Sequence, residues 1–184
     1  RAASVERLVA TRTVELSESN QQLEEEIIER QRVERGQRQL TSIVENSSDF
    51  IGMAEINGQV RFVNASGILL VGLDSLDEAQ KKPMSEFIYQ DDLTEFVERV
   101  VPTVMKDGHW EGEIRFQDFR TGLPIPMQSN IFLTMDPDSQ QPTGLATVSR
   151  DVTDRMVAEE ALRESEDRHR SIVDTAADGI ITID

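Results

Sequence analysis

DFIGMAEINGQVRFVN, residues 49–64, decides how this chain is read. Two runs rich in apolar residues, 49–56 and 60–64, flank Asn57-Gly58. Both residues of that dipeptide accept positive φ, so the stretch predicts a tight hairpin. Three more strands become legible from there. In HWEGEIRFQDF (109–119), Trp110, Ile114 and Phe116 alternate with Glu111, Glu113, Arg115 and Gln117, which marks a strand with one buried face. LPIPMQSNIFLTM (123–135) puts Ile125, Met127, Ile131 and Leu133 on one face, and Pro124 and Pro126 make its beginning an edge or an irregular stretch. GLATVSRDV (144–152) is the fifth strand. Helices fill the gap between strands two and three. Asn64 can cap residues 65–73. Asp92 and Glu95 form a capping pair for 93–106, with Phe96, Val100 and Val104 on one face and Gly108 just past the end. The order β-β-α-α-α-β-β-β predicts an α+β fold, an antiparallel sheet with helices over one face.

Working outward, the flanks differ from this middle. All six prolines lie between Pro83 and Pro142, and only Gly36 and Gly179 fall outside residues 47–151. The ends therefore read as breaker-poor helices. In residues 1–46, Val9, Leu16 and Leu23 take the d position of a heptad, while Thr13, Asn20 and Ile27 take a. A seam this narrow stabilises a helix against another helix, and Asn at a fixes the register of a parallel dimer. We therefore expect a homodimer through Val9, Leu16, Asn20, Leu23 and Ile27, with a slip of phase near residues 28–36. Leu162, His169 and Ala176 repeat the spacing near the other end.

The two ends also repeat each other. SIVENSSDFIGMAE (42–55) resembles SIVDTAADGIITID (171–184) at an offset of 129 residues, and EIIERQRVE (26–34) resembles DVTDRMVAE (151–159). The expected organisation is a coiled-coil helix over 1–46, a turn-rich folded domain over 47–152 and a linker helix over 153–177. Residues 178–184 would open a second copy of the domain, so we read the chain as a piece of something longer.

Composition narrows the function. With 19 basic and 35 acidic residues the net charge is −16, which argues against nucleic acid or an anionic membrane as partner. No cysteine is present, so disulfides, zinc ribbons, thiol catalysis and covalent flavin–thiol chemistry are excluded. The two histidines stand 60 residues apart, which disfavours a histidine-based metal site. No apolar run is long enough to span a bilayer, no signal peptide is visible, and no direct membrane contact is expected. We expect this stretch to be cytoplasmic, with a membrane anchor upstream in a longer parent left open. Gly67 and Gly72 have the spacing of a phosphate-binding loop, but Leu73-Asp74 follow where Lys-Ser/Thr is needed. No catalytic residue is assigned.

Taken in order, these stretches resemble the PAS sensor domain with its signalling helices. The resemblance covers about residues 37–184. SIVENSSDFIGMAEINGQVRFVNASGILLVG is similar to the opening hairpin and first helix. YQDDLTEF (89–96) is similar to the start of the long helix, with Tyr89-Gln90 where His-Pro is frequent. WEGEIRF (110–116) is similar to the fourth strand in family order, and SRDVTDR (149–155) to the Asp-x-Thr junction that starts the output helix. The resemblance implies sheet order 2-1-5-4-3, a small cavity between sheet and helices, and a role in signal input and dimerisation. Haem would need a His on the long helix, where none stands; His109 lies just beyond it. Covalent flavin would need a Cys near Ala65–Ser66, also missing. Noncovalent flavin on Trp110 and Asn130 stays open, with Trp110 as plain core the blander reading. No cofactor is assigned; an unknown small molecule remains an option.

As pocket candidates the pattern offers Met53, Phe62, Leu69, Phe96, Val100, Trp110, Ile114, Met127, Ser129 and Thr147, with Ser129 and Thr147 able to hydrogen-bond a small ligand. A ligand pocket and a filled core stay equally open here. Asp151 and Thr153 are the expected relay into the output helix. The resemblance implies a bacterial sensor protein with a downstream effector in the same chain, a histidine kinase of a two-component phosphorelay ahead of a cyclic-dinucleotide synthase. A dimerising spacer that senses nothing is the other reading.

Overall fold

The computed structural model describes residues 2–180, and the side-chain surroundings of residues 20–170. The chain divides into two compact units at Glu45/Asn46. The first is one helix, α1 (Ala2–Glu45), about 66 Å long at 1.5 Å per residue. It runs unbroken through Gly36. Ion pairs between residues four apart, Arg30 with Glu26 and Arg38 with Glu34, lie along it. Leu23, Ile27, Val33 and Leu40 are all more than half exposed, and Asn20 is exposed. The surroundings of Val9 and Leu16 lie outside the described residues.

The second unit is built on a five-stranded antiparallel sheet of β1 (Phe50–Glu55), β2 (Val60–Val63), β3 (His109–Gln117), β4 (Pro124–Met135) and β5 (Pro142–Asp151), in the order β2-β1-β5-β4-β3. Pro124 and Pro126 pair only with β3, before β4 meets β5 at Met127, so neither removes a bond from a strand with two neighbours. The first hairpin differs from expectation. Only Gly58 has positive φ (86°); Asn57 does not. The Gly58 N–H donates to the Glu55 carbonyl (2.8 Å), and the Glu55 N–H donates to the Gln59 carbonyl (2.9 Å). This is a three-residue loop ending in a left-handed glycine, which inserts an irregularity at Met53/Ala54.

Five helical pieces and two tight turns cover one face. α2 (Ala65–Leu70) and α3 (Leu76–Gln80) are capped by Asn64 and Ser75. Single turns follow at Met84–Phe87 and Gln90–Asp92. The long helix expected over 93–106 is not regular. It runs as α4 (Leu93–Glu95), a wide π turn (Phe96–Val100) and α5 (Val101–Asp107). Pro102 explains this, because it has no N–H for the carbonyl four residues back and its ring would crowd that group. Gly108 ends α5 in the left-handed conformation (φ 85°). The Asp92 capping role is also not observed: no side-chain cap bond forms there, and the carboxylate is committed to β3 instead.

After β5 the chain continues as α6 (Thr153–Ile180), three residues beyond the boundary expected at 177. A helix satisfies its backbone within itself, whereas a strand at 178–180 would need a neighbour to pair with. Residues 181–184 lie outside the described residues. No helix among the described residues is long and apolar enough to cross a membrane.

Candidate functional site

The phase of β1 shapes the site. Phe50, Gly52 and Ala54 face the helices, while Ile51 and Met53 point to the other side of the sheet. This reverses the inward placement expected of Met53, which is 41% exposed. A slip of one residue moves every side chain of a strand to the opposite face. The inner face at β1 is thus made of small residues. Gly52 in particular lets the Phe50 ring lie back over the strand: a Cβ there would stand 2.8 Å from the ring edge.

Those small residues leave a cavity of about 60 Å³ between sheet and helices. Its walls are almost wholly apolar. Phe50, Phe87 and Phe116 form an edge-to-face cluster, with Phe50–Phe116 centroids 5.0 Å apart, and Phe96 reaches in from the π turn. Val60, Met84, Ile131 and Leu145 close the space. If empty, such a void costs about 1.4 kcal/mol at roughly 24 cal/mol per Å³. The polar side chain on the wall is Thr147. Its hydroxyl is 2.8 Å from Ser149 Oγ, which in turn donates to Ser129 Oγ at 2.9 Å. Ser129 and Ser149 are fully buried, so the three hydroxyls satisfy one another inside the core.

The ten expected pocket residues separate into groups. Phe96 and Thr147 line the cavity from the inner face. Met53 and Phe62 border it too, but they pair with each other on the outer side of the pleat. Val100, Ile114 and Met127 are buried in the core away from the cavity, and Ser129 is linked to the cavity wall only through Ser149 and Thr147. Trp110 is half-buried over Gly112, where a Cβ would stand 2.5 Å from its ring. Leu69 is 72% exposed: α2 is too short to turn both Ile68 and Leu69 inward, and Ile68 takes the buried place. Phe50, Gly52, Ala54, Val60, Met84, Phe87 and Ile88 line the cavity without having been expected to. The run MSEFI (84–88), apolar at its ends and fourth place and bounded by Pro83, carried a signal that strand and helix periodicity overlooks.

The second part of the site is the exit from β5. Val152 is buried, and its N–H donates to the Pro126 carbonyl at 3.0 Å. Asp151 Oδ1 accepts the Thr153 N–H at 2.8 Å, satisfying one of the free donors at the start of α6. Thr153 takes part through its backbone. Arg155 then pairs with Glu113 of β3 at 2.8 Å. One residue before Asp151, Arg150 holds Asp49 with two bonds of 3.0 Å, linking the end of β5 to the approach to β1. Asn64 secures the same approach from beneath. Fully buried, it accepts from the Ile51 N–H (2.9 Å) and the Gly67 N–H (3.0 Å) and donates to the Asp49 carbonyl (3.0 Å).

Electrostatics hold the lid of the cavity to the sheet. Asp92, at the start of the π-containing helix, accepts the Arg115 backbone N–H at 2.8 Å and also binds the Arg115 guanidinium. The hydrogen bond from that guanidinium, helped by the backbone N–H, keeps the Asp92 carboxyl below its ordinary range although burial opposes it. Tyr89 lies under the same guanidinium, 5.1 Å from its ring centroid. No cluster of three or more metal-ligating side chains occurs among the described residues.

This geometry can be set beside known proteins. A family model described as the PAS fold matches residues 38–152. No curated protein is similar enough to count as a relative. Among solved structures, a PAS domain from Colwellia psychrerythraea is 22% identical, with a TM-score of 0.58, over 64% of this chain and 97% of that one. A PAS domain of an HTR-like protein from Haloarcula marismortui is also 22% identical, with a TM-score of 0.55, over 67% and 97%. A sensory box histidine kinase/response regulator from Burkholderia thailandensis is 20% identical, with a TM-score of 0.52, over 72% and 98%. At these identities the likeness is one of fold. The family model spans most of the chain, and strand order and neighbours agree with it: the chain belongs to the PAS fold family.

Proposed function

We propose that this chain is the sensory and dimerising module of a bacterial signal-transduction protein, turning occupancy of its cavity into a change of pose of α6. One observation carries the reading. β5, the central strand, lines the cavity through Leu145 and Thr147 and becomes α6 after Asp151, with only Val152 between them. Val152 is buried and bonded to β4, so little slack separates the cavity wall from the root of the output helix. The exposed seam of Leu23 and Ile27, with Asn20 in the same frame, supports a parallel homodimer through α1. Two similar structures come from proteins named as sensor histidine kinases, which supports a kinase effector in the same chain.

The test is Asp151→Ala in the full-length parent, with Thr153→Ala beside it. Losing a helix cap costs about 1 kcal/mol. That is too little to unfold a domain stabilised by roughly 5–15 kcal/mol, yet it shifts a two-state equilibrium about fivefold. Asp151→Ala should leave the domain folded and alter output. Thr153→Ala, which keeps the backbone N–H, should do less. Wild-type regulation in Asp151→Ala would overturn the relay.

A further inference from the structure

The cavity described above also restricts what can fill it, given the reading that occupancy is the signal. We infer that its ligand is a compact, uncharged, mostly apolar molecule that donates one hydrogen bond, a small alcohol in chemical class.

Size is the first restriction. About 60 Å³ lies far below the roughly 300–1,000 Å³ of sites for drug-sized ligands. Charge is the second. Among the described residues no Lys, Arg, His, Asp or Glu lines the space, so an ion entering it would lose its hydration with no counter-charge. Four phenylalanine rings, Phe50, Phe87, Phe96 and Phe116, offer contact to carbon instead. Apolar cavities lined by such residues admit apolar guests.

The third restriction comes from counting protons. Each hydroxyl has one proton to give and two lone pairs to accept with. Ser149 gives its proton to Ser129. The contact between Thr147 and Ser149 therefore uses the proton of Thr147. Thr147 Oγ1 is left with acceptor capacity and no proton for a guest. A ligand that pairs with it must bring its own proton; an amine would carry a charge the wall cannot match and an amide would leave its carbonyl unpaired, so an O–H serves. An ether, a ketone or a carboxylate cannot make that bond.

The experiment uses the full chain with methyl-detected NMR on Val60, Ile131 and Leu145, and three probes: xenon, 1-propanol and propionate. Xenon and 1-propanol should shift these methyl signals at millimolar concentrations, and propionate should not. Thr147→Val should weaken 1-propanol about fivefold, the worth of one hydrogen bond, while leaving xenon unchanged. Ala54→Val narrows the space and should weaken both. Should Ala54→Val fail to fold, the Thr147→Val pair of titrations decides alone. Silence towards both xenon and 1-propanol, equal binding of propionate, or equal loss of xenon and 1-propanol in Thr147→Val would overturn the inference. The relay fails separately: 1-propanol that binds as expected but leaves the output of the parent unchanged refutes the relay and not the ligand class.

Discussion

The inner face of the sheet has two halves, and they are built differently. Around Ile114 of β3 and Met127 of β4 it is solid, although Phe116 and Ile131 of the same strands reach the cavity wall. Met127 is wholly buried, Ile114 nearly so, and Val100 and Val104 sit against them with no exposed surface. Towards β1 and β5 the corresponding inward positions hold Gly52, Ala54 and Thr147, and the space above them is hollow. Both halves share one sheet and one covering layer. What separates them is side-chain volume, so burial alone does not report packing. Interiors are normally filled close to crystal density, and a hollow half persists only where backbone and rings hold the walls apart. Here the edge-to-face contacts among Phe50, Phe87 and Phe116 supply that rigidity.

The comparison can be broken most sharply from the solid side. Met127→Ala removes a fully buried side chain from a region with nothing to collapse into the gap, and should cost about 3 kcal/mol in urea unfolding. A loss below about 1 kcal/mol would mean that the solid half is not solid.

Next in size is Asp92→Ala. It strips the acceptor from the Arg115 backbone N–H and should cost about 1–2 kcal/mol. The same pair has a signature in pH. Because the folded state depresses the Asp92 carboxyl, its contribution is present above the unfolded value of about 4 and fades as pH falls through the folded one. Wild type should therefore lose more stability than Asp92→Asn on acidification below about pH 4. Parallel acid titrations would show that the staple is not electrostatic.

The smallest effect is the most informative. Ala54→Val adds carbon on the hollow side and should change stability by less than about 1 kcal/mol, in the favourable direction if the space is empty. Val104→Leu, a smaller addition on the solid side, should cost about 1–3 kcal/mol. Thermal melts of the two variants that moved together would erase the distinction between the halves.

Strand positions were legible to within a residue or two because turns and alternation are local. The sheet order came from the likeness of motif order to a known family, and pairing agrees with it strand for strand. The candidate site was legible only in part. Alternation in β1 offers two phases, Ile51/Met53 or Phe50/Gly52/Ala54, and the larger pair draws the eye inward. The outcome was decided by Gly67 of α2. A Cβ there would meet Phe50, Val63 and Asn64 all at 2.8 Å, so the helix seats directly over the strand at Phe50. Leu69 was misplaced for a similar reason, because its apolar character said nothing about which way a two-turn helix would face. Asp92 looked like a cap, yet a strand 23 residues away claimed it.

The sequence by itself determined the division into a helical flank and a turn-rich domain, the five strands, the left-handed glycines in the first hairpin loop and after α5, and the absence of thiol chemistry. Each of these follows from residue type and spacing within a few neighbours. The tertiary structure alone decided the phase of β1, the π turn that accommodates Pro102, the partner of Asp92, and the hollow itself. A cavity is a shortfall of volume summed over β1, β5 and the helical layer, and no single stretch of chain carries that sum. Thr147 shows the boundary well: its polarity in an apolar run was readable, but the direction in which its proton points depends on Ser149 and Ser129, which only the folded sheet brings within reach.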